Sequence, residues 1–189
     1  MCGRLNVIDD VLTQFVSDIL GLEFCTPTNI DLRPSQMVST IIHPDSFTQI
    51  NANWGIKPSW SKQLLINAKS ESVWKKSTFC EAFSHSRCLI PCNGWYEWQT
   101  IAGQKQKYSF QQSNETPVFM GGMLYDIDAP KLVTLTAEPN DHCAKIHHRM
   151  PVLIAPDKID TWFGGSPSEV SQLMATSNLH QISYQKLKN

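Results

Sequence analysis

From Asp9 onward the apolar residues Val11, Leu12, Phe15, Val16 and Ile19 recur with the period of a helix that has one hydrophobic face. Asp9 can cap this helix and Gly21 stops it. A short extended N-terminus followed at once by a docked helix is the expectation, and such a helix would keep the first residues from fraying. Residues 22–35 carry Pro27, Asn29, Asp31 and Pro34 and read as a loop, with Arg33 forced towards an extended conformation by the proline after it. Gln36–Ile42 reads as a strand, and Ile50–Trp54 and Leu64–Asn67 as short strands joined by a loop that presents Trp60.

Beyond that loop the pattern predicts a helix over Ser70–Phe83 and sheet over Cys88–Trp98, where Trp95, Tyr96 and Trp98 favour strand. Gly103 marks a hairpin turn before Lys107–Gln111, and Val118–Leu124 and Leu132–Thr136 continue the sheet. Pro139–Ile146 is a short helix or turn, Met150–Ile154 a last core strand, Pro156–Phe163 and Pro167–Thr176 helices, and Leu179–Tyr184 an edge strand. Strands with helices interspersed irregularly, and not in βαβ order, specify an α+β fold around a curved, mostly antiparallel sheet or barrel-like core with flanking helices. No repeat or linker divides the chain, so residues 1–189 are expected to form a single domain.

Composition agrees with an ordinary globular protein: 41% hydrophobic and 17% charged residues over a length that buries a core without staples. The net charge of -1 hides an asymmetry. Residues 54–110 contain eight lysines and arginines against three glutamates, interleaved with Trp54, Trp60, Trp74, Trp95 and Trp98. That mixture suits a groove for single-stranded nucleic acid, with bases on rings and phosphates on lysines; it equally suits core tryptophans beneath a solvated basic face. Six cysteines without a leader ahead of them read as a reduced, cytoplasmic or nuclear protein. No apolar run reaches the ~18 residues of a membrane span. Cys88 and Cys92, and the group His142, Cys143, His147 and His148, lack paired C-x-x-C spacing, so no metal is expected.

Candidate chemistry begins at Met1-Cys2-Gly3-Arg4. Removal of Met1 would leave an α-amine and a thiol on adjacent carbons of Cys2, titrating near about 7.7–8.0 and about 8.5. An aldehyde meeting that pair forms an imine with the amine and is then captured by the thiolate in a thiazolidine ring. Glu97, within Trp95-Tyr96-Glu97-Trp98, is either exposed on the outer face of its strand or desolvated into a proton donor. His147 and Arg149, in His147-His148-Arg149-Met150-Pro151, suit a proton shuttle and a phosphate contact. Asn67-Ala68-Lys69-Ser70-Glu71 sets an amide and a lysine at a strand-to-helix junction.

These blocks, together with Arg33-Pro34, Trp54-Gly55-Ile56-Lys57-Pro58-Ser59-Trp60 and Arg87-Cys88-Leu89-Ile90-Pro91, occur in an order that resembles the SRAP family, the SOS response-associated peptidases, over essentially the whole chain. The resemblance implies the SRAP fold and a protein that shields abasic sites in single-stranded DNA by trapping the ring-opened sugar aldehyde on its N-terminal cysteine. It assigns Cys2 as nucleophile, Asn67 as the group orienting the N-terminus, Glu97 as the acid that opens the sugar ring and His147 as the proton shuttle. It places Arg4, Lys69, Thr136 and Arg149 on the DNA backbone and Trp54 beside the strand. A monomer without cofactor or metal is implied, nucleoid-associated in a bacterium or nuclear in a eukaryote. Lys69 stands where arginine is usual, His148 where aspartate is usual and Arg33 where alanine is common, so the phosphate grip at Lys69 is expected to be looser. The rival readings are a glutamine amidotransferase with an N-terminal cysteine, a non-covalent reader of modified DNA, and a self-cleaving peptidase.

Overall fold

The structure is a computed structural model that describes residues 3–126, 128–176 and 181–188. Strand β1 (Leu5–Val7) leads directly into helix α1 (Asp9–Leu20). Leu12, Val16 and Leu20 form the buried face of α1, while Val11 is 54% exposed and lies off it. Asp9 is the first helical residue and not the cap. Ile8 holds the cap position, and the Asp9 carboxylate accepts a hydrogen bond from Thr13 Oγ1 one turn on, at 2.9 Å. Gly21 ends the helix at a φ of 63°, its N–H donating to the Ser17 carbonyl, a conformation glycine enters without a Cβ penalty.

The stretch expected to be wholly loop contains strand β2 (Asn29–Leu32), which pairs with β1 and forms a sheet edge. Strands β3 (Met37–Ile42) and β4 (Thr48–Trp54) form the expected antiparallel pair. The next strand begins later than its pattern suggests: Leu65 makes a single bridge to Ile56, and ladder pairing starts with β5 (Asn67–Lys69). The helix expected over 70–83 is reduced to α2 (Cys80–His85). Ahead of it the chain makes tight turns, with Ser72 N–H donating to Lys69 O and Phe79 N–H to Lys76 O. Val73 turns inward to full burial and Trp74 meets Phe83 edge-on at 4.4 Å, while serines and threonines favour turns over helix interiors.

The stretch Cys88–Trp98, expected as sheet, spans two strands. β6 (Arg87–Cys92) and β7 (Gly94–Ile101) meet at Asn93 and belong to different sheets. The Asn93 side chain accepts from Ile8 N–H at 2.7 Å, and its own N–H donates to Asn6 O at 2.9 Å, so β1 pins the crossing. Gly94 follows because a Cβ there would lie 2.1 Å from the Phe110 carbonyl oxygen.

Then come β8 (Gln104–Gln112), β9 (Val118–Tyr125), β10 (Lys131–Ala137), α3 (Asp141–Ala144), β11 (Met150–Pro151) and β12 (Leu153–Ile154). A 3-10 turn precedes α4 (Ile159–Gly164), followed by α5 (Pro167–Ala175), whose cap Ser166 forms a capping box with Glu169. Strand β13 (Ile182–Lys186) pairs with β8; Leu179 and His180, expected to begin this strand, lie outside the described residues.

Strands β4, β3, β6, β9 and β10 close on themselves as a ring, antiparallel at every joint except the parallel β10–β4 closure. The fold is therefore α+β with a barrel-like core, as its pattern predicts. Trp54, Phe83, Leu89, Ile90, Phe119 and Trp162, from the ring and the helices packed against it, belong to the core, all fully or almost fully buried. A second sheet, in the order β13-β8-β7-β1-β2, lies beside the ring. The single Met150–Ile154 strand of the sequence reading is split: β11 pairs with β10, and β12 with β9. No helix among the described residues is long and apolar enough to cross a membrane.

Candidate active site

Strand β10 organises one wall of the site. Its first residues pair with β4, and its second half takes new neighbours, β5 through Thr134, Leu135 and Thr136 and β11 through Thr136 and Ala137. Asn67 on β5 and the segment ending in Arg149 before β11 are thereby held on opposite edges of one strand. Strand alternation sets Thr134 and Thr136 on the same face. Thr134, 2% exposed, donates through Oγ1 to the Asn67 side-chain oxygen and lies 3.1 Å from the Ile66 carbonyl. With its oxygen engaged, the orientation of the Asn67 amide is set.

The other wall is the second sheet. Leu5 on β1 pairs with Trp95, and Tyr96 N–H donates to the Arg4 carbonyl at 3.0 Å. The residues directly after Cys2 are thus laid along the strand that carries Glu97. Alternation on β7 places Trp95, stacked on Phe110 at 5.3 Å, on the same face as Glu97. Glu97 is 2% exposed, which decides between its two sequence readings in favour of withdrawal from water.

His147 brings the walls together. Its Nε2 lies 3.7 Å from Glu97 Oε2. Its Nδ1 accepts from the Arg149 backbone N–H at 3.2 Å and lies 3.1 Å from the Arg149 carbonyl oxygen. The peptide groups of one residue therefore serve both forms of the ring: the N–H suits neutral imidazole protonated on Nε2, and the carbonyl suits a ring with a proton on Nδ1. Burial pushes the proton affinity of His147 below the ordinary histidine value, opposed by the hydrogen bond to the Arg149 backbone and reinforced by the charges of the amino terminus, His148 and Arg149. Gly3, Arg4, Glu97, Trp98, Lys105 and His147 line an open pocket of about 450 Å³. Cys2, the proposed nucleophile, lies outside the described residues.

The other cysteines are placed differently. Cys88, Cys92 and Cys143 are buried, and desolvation pushes Cys92 up to about 12 and Cys143 up to about 11, so their thiolate forms are suppressed.

Of the five residues the resemblance sets against DNA, two reach the surface. Lys69 is exposed, and Arg4 is half-buried, with its Nε 3.3 Å from Asp31 Oδ1 and its guanidinium 5.9 Å from the Trp98 ring centre. Asp31 also gathers Arg33 and Lys107. Desolvation raises its proton affinity, but the Arg33 hydrogen bond and the charges of Arg33, Lys107 and Arg4 outweigh this and hold it below the carboxylate range. Trp54 is fully buried, its indole N–H donating to Ile66 O at 3.2 Å, so it offers no face to a base. Trp60, 67% exposed, is the ring of that block open to solvent. Thr136 is 1% exposed and Arg149 7%, and the Arg149 guanidinium is committed to Glu71 and Thr136. Neither side chain presents itself to a phosphate.

Thr134 and Lys105 are site residues that sequence reasoning missed. The T-x-T spacing on a strand opposite Asn67 is the signal for Thr134; nothing in the sequence distinguishes Lys105 from its neighbours.

The fold and site define an α+β protein with a carboxyl–imidazole pair in a basic-rimmed pocket beside its N-terminal segment. The chain belongs to the SOS response associated peptidase (SRAP) family, whose pattern matches residues 1–189. It is 28% identical to the abasic site processing protein YoaM of Bacillus subtilis over 178 residues, covering 86% of this chain and 78% of YoaM. It is 28% identical to YedK of Escherichia coli, also an abasic site processing protein, over 93% of this chain and 86% of YedK. Among solved structures, a phage-related protein from Bordetella bronchiseptica superposes with a TM-score of 0.80 at 20% identity, covering 100% of this chain and 95% of that one.

Proposed function

We propose that this protein processes abasic sites in single-stranded DNA by joining them covalently to Cys2. The observation that supports this most directly is the approach of Glu97, 2% exposed, to His147 in a pocket lined by Gly3, the residue after the nucleophile. Family membership and the names of the relatives favour abasic DNA as substrate.

An abasic deoxyribose is mostly a closed hemiacetal, so an amine finds an aldehyde only after the ring opens. In this scheme Glu97, 2% exposed, acts in its protonated form and donates its proton to the ring oxygen as the anomeric hydroxyl loses its own. After Met1 removal the α-amine of Cys2 adds to the aldehyde and water leaves, giving the imine. The Cys2 sulfur then bonds to the imine carbon, the imine nitrogen takes up a proton and becomes a ring amine, and the thiazolidine closes. Neutral His147 accepts and returns protons across these steps, and Asn67, oriented by Thr134, holds the reacting amine. Every group in this scheme is a side chain or the chain terminus, so neither metal nor cofactor enters it.

Arg4, Lys69 and Lys105 supply positive charge for the DNA backbone, and Trp60 supplies a ring on which a base can stack. The protein acts as a monomer, in the cytoplasm on the nucleoid of a bacterium or in a eukaryotic nucleus. Membership of the SRAP family favours this reading over the amidotransferase one. Met1-free protein mixed with single-stranded DNA carrying one abasic site gives an adduct stable to denaturing electrophoresis, and Cys2→Ala gives none. An intact-mass spectrum without a protein-plus-DNA species would falsify the reading.

A further inference from the structure

We propose that Glu71 is a positioning residue for His147, acting through Arg149; this rests on the proposed role of His147 in proton transfer. Arg149 is tied at both ends. Its guanidinium forms a two-pronged pair with Glu71, Nη1 to Oε1 at 2.8 Å and Nη2 to Oε2 at 2.9 Å, and Nη2 also donates to the Thr136 carbonyl. Its main chain supplies both contacts to Nδ1 of His147. The side chain therefore fixes the peptide groups that select the imidazole tautomer.

Glu71 is itself clamped. Desolvation pushes its proton affinity up, but Arg149 and the backbone N–H groups of Glu71 and Glu138 outweigh that and keep it ionised. The Arg149 Nε is buried with no partner among the described residues. Glu71 is thus the carboxylate, among these residues, that neutralises a nearly buried cation beside the imidazole. A planar, two-pronged pair fixes direction as well as distance, which a point-charge contact does not.

Two consequences separate this role from that of a generic surface ion pair. Glu71→Gln leaves the Arg149 charge uncompensated, so protonating His147 becomes harder. The other charged or titratable groups acting on His147 are unchanged: Glu97 on β7, Lys105 on β8, Arg4 ahead of β1, the charge of the amino terminus, and His148, whose ring lies 4.5 Å away. The double variant Glu71→Gln with Arg149→Met removes both charges together and reverses the shift.

The experiment is an NMR titration of the His147 ring nitrogens in the full chain without DNA, which reads the proposal independently of any crosslinking. The midpoint falls by about half a pH unit in Glu71→Gln, the scale of one unit charge acting across one intervening residue in partly solvated protein. It returns to or above the wild-type value in the double variant. A midpoint in Glu71→Gln that stays put or rises overturns the proposal. If Glu71→Gln does not fold, Glu71→Asp keeps the charge but withdraws the two-pronged grip by one methylene. The tautomer ratio at His147 then changes, and an unchanged ratio overturns the proposal. Failure of wild-type protein to crosslink abasic DNA would remove the proton-transfer role while leaving this titration result standing.

Discussion

His147 Nε2 and Glu97 Oε2 stand 3.7 Å apart across the joint between the barrel and the second sheet. The imidazole is delivered by the segment before β11 and the carboxyl by β7, so the pair exists only when both sheets are assembled. Removing the carboxyl's acidity while keeping its shape tests its part in the chemistry. Glu97→Gln is expected to slow crosslinking by about a hundredfold or more, the lower end of what a positioned general acid contributes. Affinity for the same DNA, measured by anisotropy with Cys2→Ala protein in both backgrounds, should be unchanged. An unaltered rate removes Glu97 from the acid role.

Thr134 is the support behind Asn67. Thr134→Val keeps the shape and β-branching but deletes the hydroxyl that donates to the Asn67 oxygen. Loss of one buried hydrogen bond is expected to cost about 1 kcal/mol of stability, seen as a lower urea midpoint. Crosslinking should slow by about tenfold, because an amide free to rotate holds the amine less well; that factor corresponds to about 1.4 kcal/mol in the barrier. An equal loss of stability with no loss of rate would mean that Asn67 is oriented by other means.

What the sequence made legible follows from the range of the interactions involved. Gly21 stops α1, and Gly103 makes the turn between β7 and β8, because both needs are local. Glu97 and His147 stood out because few side chains carry such chemistry, and their neighbours narrowed the choice. Trp54 and Trp60 sit in one block and look alike, yet ring closure buries the first and leaves the second in solvent. The same applies to Arg149, which reads as a phosphate ligand until the turn after β5 brings Glu71 against it. Pro91, Asn93 and Gly94 interrupt the sheet-forming run from Cys88 to Trp98 and are the local signal for its division, but the assignment of the two halves to different sheets depends on the partner β1.

The depressed proton affinity of His147 gives the reaction a defined acid limb. Burial disfavours the imidazolium, so the neutral ring persists as pH falls through the ordinary histidine value. The Cys2 amine, titrating at about 7.7–8.0, slows wild type and His147→Gln alike, so the ratio of their rates at saturating DNA should hold through about pH 6.5, the unperturbed histidine value, and decline only below it. The same displacement acts on folding. Between the ordinary and depressed values the unfolded chain binds more protons than the folded one, so stability decreases as pH falls through that window. His147→Gln should lack the His147 limb in the rate and the His147 contribution to stability, which single-turnover rates and urea midpoints of both proteins across pH 5–8 would measure. A decline of that rate ratio centred above the ordinary histidine value would contradict a desolvated His147.

The two tryptophans of the Trp54-to-Trp60 block separate core from interface. Trp60→Ala removes an exposed ring from a loop that carries Lys57 and, with Lys131, lines a pocket of about 450 Å³. Stacking of one base is worth roughly 1–3 kcal/mol, so single-strand affinity should weaken by about tenfold while the thermal midpoint stays within about a degree. Trp54→Ala opens a void in the barrel interior and breaks the indole bond to Ile66, with an expected cost of about 3–5 kcal/mol. Its DNA affinity should fall only in proportion to the fraction unfolded. Because Ile66 directly precedes Asn67, Trp54→Phe, which retains most of the volume and loses the N–H donor, is the finer probe: it should lower the crosslinking rate at unchanged affinity. If Trp60→Ala left affinity intact and Trp54→Phe weakened it, the assignment of the two rings would be reversed.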